Sequence, residues 1–267
     1  MSRARQTAKG PVIRSLALRL PPGHQLHTHD HQWAQFIYAA RGVMSVQAGS
    51  NQWVVPPLRG LWMPSGVPHN LETISETWLR TVYIRPDLAA QVPPGIRVLE
   101  VSPLLRELIL EVVRLGLLED TNAVHRSTST VLIAQLIHSR ELGLVLPLPS
   151  DPRARAIADR VRRFLADKAP LADLVRSTGA SPRTAERLFL KETGLSFGLW
   201  RQQARLQTAV RHLADGMSVT NVAFECGYES ISAFVTMFKR SLGSTPGQYF
   251  NAANAADESP RAPSPSS

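Results

Sequence analysis

The most constraining feature of this 267-residue sequence is a duplication in its C-terminal half. The stretch SPRTAERLFLKETGLSFGLW (181–200) returns as SISAFVTMFKRSLGSTPGQY (230–249). Ser181 falls on Ser230, Phe189 on Phe238, Gly194 on Gly243, Gly198 on Gly247 and Trp200 on Tyr249, each pair 49 residues apart. Upstream, Leu174 and Gly179 match Val222 and Gly227 at a separation of 48, so the second copy carries one extra turn residue. A repeat at fixed separation is one supersecondary unit used twice. Each copy reads helix, glycine turn, serine-capped helix, which is a helix-turn-helix pattern. Pro182 suits the first turn of its helix.

The second helix of each unit has two faces. Ala185, Leu188, Phe189 and Glu192 lie on one side in the first copy, with Arg183, Glu186, Arg187 and Leu190 roughly opposite. In the second copy Phe234, Met237 and Phe238 form the apolar face, opposed by Ser232, Val235, Thr236 and Lys239. One such helix is equally well explained as an amphipathic surface helix. Two in register, within a basic segment, favour a nucleic-acid reader: residues 151–250 carry 15 basic and nine acidic side chains, within a chain of net charge +9. Successive major grooves on one side of a duplex lie roughly 34 Å apart. A connecting helix over about 196–214, striped with Leu199, Leu206, Val210 and Leu213, is expected to hold that spacing.

The N-terminal part has a different pattern. Residues 24–86 read as short strands rich in aromatic and β-branched residues, punctuated by Gly42, Gly49-Ser50-Asn51 and Pro56-Pro57, which suggests a small barrel or sandwich. From 102 the periodicity turns helical through Leu105, Leu108, Ile109, Val112, Val113 and Leu115, and again in STVLIAQLIHSREL. The single cysteine, Cys226, excludes an intrachain disulfide and is expected to be a packed thiol in a reducing compartment. The basic N-terminus has no apolar core after it, so it does not read as a signal peptide. No stretch approaches the about 18 apolar residues of a membrane span. A cytoplasmic protein without a membrane partner is expected.

Residues 151–250 resemble the DNA-binding domain of the AraC/XylS family of bacterial transcriptional regulators. The resemblance is carried by SPRTAERLFLKETG and by VAFECGYESISAFVTMFKRSLGSTPGQY, whose Gly-Tyr-x-Ser and Phe-Lys-x-x-x-Gly-x-x-Pro elements keep order and spacing. It implies base contacts from Arg183, Glu186 and Arg187 in the first unit and from Ile231, Ser232 and Thr236 in the second. Arginine to guanine and glutamate to cytosine suit direct readout. The smaller, more apolar second set departs from the family pattern and suits thymine methyl groups. Arg201, Arg205, Lys239 and Arg240 are the expected phosphate contacts.

Residues 23–42, Gly-x5-His29-x-His31-x3-Gln35-x6-Gly42, resemble the first cupin motif, with Gln35 where glutamate is usual. PSGVPH, Pro64 to His69, resembles the second. On neighbouring strands His29, His31, Gln35 and His69 could converge, and three imidazoles plus an oxygen ligand suit Zn, Ni, Mn or Fe. Three readings stand: a divalent transition-metal site, a small-molecule effector pocket, or a structural polar cluster. Trp33, Trp53, Trp62 and Trp78 all fall in this segment as core or as apolar walls for a partly aromatic effector. His24 and His27 lie outside the motif and are expected at the surface.

The fold class expected is α+β: an N-terminal cupin-like β-barrel with packed helices, then an all-α domain with two helix-turn-helix motifs. The boundaries are 1–100 for the sensor barrel, 101–146 for a helical dimerisation and coupling segment, 147–152 for a linker, 153–250 for the DNA-binding domain and 251–267 for a disordered tail. The leading function is a sequence-specific transcriptional regulator controlled by a small-molecule or metal effector, not an enzyme. Its expected partners are double-stranded DNA, the effector, a second copy of the chain and RNA polymerase. Family members with this short cupin and a WMPSGVPH-like segment resemble local regulators of transport or resistance genes. The alternatives are a metal-dependent cupin enzyme with an accessory nucleic-acid module, and a non-specific basic architectural protein.

Overall fold

The computed structural model describes residues 10–141 and 145–255. Among the described residues eleven strands form two antiparallel sheets. The six-stranded sheet comprises β1 (Pro11–Leu20), β3 (Ala34–Arg41), β6 (Arg59–Met63), β8 (Thr77–Ile84), β9 (Arg97–Glu100) and β10 (Leu117–Glu119), in the order β10-β1-β8-β3-β6-β9. The five-stranded sheet comprises β2 (Gln25–His29), β4 (Met44–Ala48), β5 (Asn51–Val55), β7 (His69–Thr73) and β11 (Val145–Pro147), in the order β11-β5-β4-β7-β2.

Strand β3 shows how the core is divided. Successive side chains of a strand point to opposite faces, and β3 is buried on both. Ile37 and Ala39 face the other sheet and join Val46, Trp53, Leu61, Met63 and Leu71 in the inter-sheet core. Ala34, Phe36 and Tyr38 face outward, where α2 (Pro103–Leu115) and α3 (Ala123–His138) cover them with Leu105, Ile109, Val112, Leu132, Ile133 and Leu136. The apolar stripes of these two helices therefore pack within the chain, against its own sheet. Leu104, Val124 and Val131 are what these helices leave exposed.

Several elements differ from the sequence expectation, among them a one-turn helix after β8, α1 (Pro86–Ala89). Strand β1, before residue 24, lies inside the larger sheet although its apolar Leu16 and Ala17 are exposed, which hides the alternation. Strands β9, β10 and β11 are three or four residues long, too short to show a period of two. Strand β11 includes the first residue of the expected linker and pairs with β5. At the other end, α10 (Pro246–Ala255) runs five residues into the expected tail; residues 256–267 lie outside the described residues.

The C-terminal half is all helix. Helix α4 (Pro152–Arg163) is capped by Asp151. The first unit places α5 (Leu171–Leu174) and a 3-10 turn (Val175–Ser177) before α6 (Pro182–Thr193). The second places α8 (Val219–Glu225) before α9 (Ile231–Leu242). The repeat extends to the caps: Ser181 Oγ accepts from Thr184 N at 3.1 Å and Ser230 Oγ from Ala233 N at 3.2 Å. Gly227, in the second turn, has a φ of 76°, and a Cβ there would meet the Leu165 carbonyl at 2.9 Å, so both conformation and space call for glycine. Helix α7 (Phe197–Ala214) joins the units. Its buried stripe runs through Trp200, Ala204, Leu206, Gln207, Ala209 and Val210, whereas Leu199 is 57% exposed and does not belong to it. Cys226 is fully buried and burial pushes its thiol up to about 12, as a packed thiol requires.

Two buried aromatics at the same repeat position join the halves. Trp200 Nε1 donates to the Pro147 carbonyl at 2.7 Å, and Tyr249 OH donates to the Pro57 carbonyl at 2.6 Å. Replacing Tyr249 by Phe keeps the packing and strands a buried carbonyl. That loss costs about 1–3 kcal/mol, so Tyr249→Phe is expected to lower the denaturation midpoint without altering the far-ultraviolet circular dichroism of the folded chain.

Candidate functional site

The histidine site lies where β2 meets β7. His29 and His69 are directly opposite in the antiparallel register, and His31 follows in the turn to β3. Their potential ligand nitrogens all lie within 4.8 Å of one another. Ring centroids are 4.8 Å apart for His29 and His31, 4.6 Å for His29 and His69, and 5.6 Å for His31 and His69. Main-chain carbonyls orient two of the rings. His29 Nδ1 lies 2.6 Å from the His27 carbonyl and His69 Nδ1 lies 2.9 Å from the Val67 carbonyl. A carbonyl can only accept, so each Nδ1 carries its proton and each Nε2 keeps a lone pair. His31 Nε2 is buried and has no hydrogen-bond partner among the described residues.

Burial lowers the His31 pKa, and the neighbouring His29 and His69 lower it further against the opposing charge of Asp30. Burial also lowers that of His69, despite its hydrogen bond to Val67 and the opposing Asp30 charge. Both rings are therefore held in the neutral form that ligates metals.

Gln35 is anchored through its amide nitrogen. Its side chain projects from β3 on the inter-sheet face, and its Nε2 donates to Thr81 Oγ1 at 2.9 Å and to Tyr83 OH at 3.3 Å. Its Oε1 is buried without a partner among the described residues. Tyr83 is a member of the site that the sequence reading missed. It pairs with Gln35 across β8 and β3, and its ring stands edge-on to His31 at 5.0 Å. Two of the four tryptophans, Trp53 and Trp62, are core; Trp78 packs half-buried against the outer-face cluster beneath Arg19 and Arg41, and Trp33 is half-buried beneath Arg14.

At the second surface, Arg183, Glu186, Arg187 and Leu190 on α6, and Ile231, Ser232, Thr236, Lys239 and Arg240 on α9, are exposed while the opposite faces are core. Three expected contacts have intramolecular partners. Glu186 Oε1 accepts from Phe197 N at 3.2 Å, at the start of α7. Arg201 Nη1 donates to the Ala169 carbonyl at 3.0 Å and its guanidinium lies over Phe197. Arg205 Nη2 donates to the Leu165 carbonyl at 3.3 Å, under Tyr228.

The pH dependence of the histidine site follows from its shifts. His31 and His69 bind protons less readily in the fold than in the unfolded chain, whose imidazoles titrate near 6.5. Below that value the unfolded state takes up protons that the fold refuses, so stability is present above it and falls as the pH drops through it. Chelator-treated protein is expected to melt at a lower temperature at pH 5.5 than at pH 7.5, with a smaller difference in His69→Gln.

Residues 19–178 match the family model described as an AraC-like ligand binding domain, and residues 174–252 match a helix-turn-helix domain. The chain is 35% identical over 221 residues to the HTH-type transcriptional regulator NimR of Escherichia coli (strain K12), covering 83% of this chain and 81% of that protein. It is 25% identical over 240 residues to the virulence regulon transcriptional activator VirF of Yersinia enterocolitica, with the same coverage. Among solved structures, ToxT of Vibrio cholerae aligns over 90% of this chain and 98% of that chain, with 12% identity and a TM-score of 0.38, a likeness too loose to transfer any feature. Among the described residues no helix is long and apolar enough to cross a membrane. The chain belongs to the AraC family of transcriptional regulators, with an N-terminal ligand-binding domain and a C-terminal helix-turn-helix domain.

Proposed function

We propose that this protein is a cytoplasmic, sequence-specific regulator that reads two successive major grooves and whose effector site is centred on His29, His31 and His69. The observation that supports the DNA reading is the pair of equivalent, serine-capped helices, α6 and α9, each with one face in a core and the other exposed. Arg183 and Arg187 lead the base readout of the first groove, because Glu186 also serves the start of α7. Ile231, Ser232 and Thr236 read the second with apolar and hydroxyl contacts. Lys239 and Arg240 take phosphate. Arg201 and Arg205 reach phosphate only alongside the carbonyl bonds that fasten α7 to the 165–169 loop.

For the effector, three imidazoles and no anionic ligand suit a borderline divalent ion such as Zn, Ni or Fe(II) better than a hard one. His29, His31 and His69 would hold it, leaving a coordination position for a small-molecule donor. A second reading, favoured by the unpartnered Gln35 Oε1 beside Tyr83, keeps the site metal-free and seats a small polar or aromatic effector by hydrogen bonds. A local transport or resistance gene is the target class proposed. A homodimer on DNA, with RNA polymerase as a further partner, completes the reading.

Sequencing the DNA bound in the native cell is expected to give a few sharp peaks with half-sites about one helical turn apart; a diffuse signal counts against sequence-specific reading. Arg187→Ala is expected to cost about 1–3 kcal/mol and to relax preference at one base pair. Arg240→Ala is expected to weaken all sequences alike and to reduce the salt slope by about one. After incubation with Zn, Ni or Fe(II) and desalting, one metal ion per chain is expected, lost in His29→Ala. No retained metal would leave the hydrogen-bonded effector as the reading.

A further inference from the structure

Outside the barrel, a cleft of about 540 Å3 opens between β6, β9, the start of α2 and the end of α3. Its volume falls in the range of small-molecule sites, about 300–1,000 Å3. The histidine cluster does not line it. Leu58, Val101 and Pro103 give it apolar walls; among its cations Arg59 faces the lining carboxylate Glu100, Arg106 is ion-paired to Glu107 beside the cleft, and Arg140 adds a third positive charge.

Arg59 is the unusual member. Its side chain is only 5% exposed, yet its ion pair is long: Nη1 lies 3.4 Å from Glu100 Oε1, and Glu100 is itself 41% exposed. Nη1 also donates to the Leu58 carbonyl at 2.8 Å, and Nη2 donates to the Leu242 carbonyl at 3.2 Å. Nε is buried with no partner among the described residues. A buried guanidinium needs a close counter-charge, and two carbonyl dipoles, the Tyr249 ring 5.6 Å from its centre and one long ion pair are a weaker substitute. The residue before it adds a second observation. Leu58 has φ 61°, the one non-glycine residue with positive φ among the described residues. Such backbone persists only where the surroundings enforce it, and it concentrates at ligand sites.

We propose that this cleft is a second ligand site, separate from the histidine cluster, and that it takes a small monocarboxylate with a compact apolar or aromatic body. The carboxylate pairs with Arg59, with Arg106 and Arg140 at the mouth, and the body lies against Leu58, Val101 and Pro103. Occupancy bears on DNA reading through one bond. Leu242 ends α9, the second reading helix of the proposed function, and its carbonyl accepts a hydrogen bond from Arg59. A carboxylate that draws the guanidinium into the cleft competes with that bond, so the ligand binds differently to states with and without it, which is the requirement for coupling.

Calorimetric titration of the full chain with benzoate at low ionic strength tests the proposal, with benzamide as the uncharged isostere. Saturable benzoate binding is expected, weakened at least about tenfold in Arg59→Gln and in Arg106→Gln by loss of a charge-assisted contact. Benzamide is expected not to bind. His29→Ala is expected to bind benzoate like the wild type, because its ring does not line the cleft. The Arg106 side chain is 21% exposed on α2, more than that of Arg59, so Arg106→Gln carries the test if Arg59→Gln does not fold. The proposal is overturned if benzoate does not saturate, if benzamide binds equally, if the arginine variants bind like the wild type, or if His29→Ala abolishes binding.

Discussion

The arrangement of the two halves depends on a pair of buried hydrogen bonds that share one origin. Trp200 and Tyr249 occupy the same position in the two repeat units, and each donates to a proline carbonyl of the N-terminal half. Both rings are almost fully buried, in different cores: Trp200 with the first unit, Tyr249 with the second unit and the inter-sheet cluster. A proline carbonyl in such a setting has few alternative donors, so an aromatic N–H or O–H satisfies it while its ring fills apolar space. Duplication supplied two amphipathic anchors with the same handle, and the N-terminal domain provides an acceptor for each. Gln52 reinforces the first joint, with Oε1 accepting from Arg162 at 3.0 Å and its carbonyl accepting from Gln207 at 3.2 Å.

This joint gives the histidine site a mechanical setting. Its rings sit on β2, β7 and the β2–β3 turn, while Gln35 and Tyr83 belong to the opposing sheet. An effector that bridges His31 and Tyr83 would bear on both sheets. The five-stranded sheet carries β11, whose Pro147 holds Trp200, and the six-stranded sheet begins β6 at Arg59, which holds Leu242. Each helix-turn-helix unit is thus tied to a different sheet. A change in the relation between the sheets is a route by which ligand contacts could bias the spacing of α6 and α9, given that it favours one of two states.

Arginines divide their work between solvent and fold. Arg183, Arg187 and Arg240 stand exposed on the outer faces of α6 and α9. Arg201 and Arg205 occur in the same basic segment, and a list of charges does not separate them from phosphate contacts. Their guanidinium groups lie over aromatic rings and donate to backbone carbonyls at the end of the preceding loop, where a planar fork with a weakly hydrated face is well suited. Burial lowers the pKa of Arg201 in consequence.

The sequence by itself determined the elements that rest on local or periodic signals. The repeat, the Ser181 and Ser230 caps and the buried faces of α6 and α9 follow from spacing, because a helix period fixes which side chains share a face; the convergence of His29, His31 and His69 was implied by the resemblance to the two cupin motifs and is made by the pairing of β2 with β7. The tertiary structure decided what depends on residues far apart in the chain. Strands of three or four residues such as β9, β10 and β11 exist only because a neighbour offers an edge. Gln35 turned to Thr81 and Tyr83 because β8 lies beside β3. The stripes of α2 and α3 were spent on the outer face of the six-stranded sheet, and Arg59 was buried under Leu242, 183 positions away. Periodicity states which face must be covered; the covering partner is chosen by the packing of the whole chain.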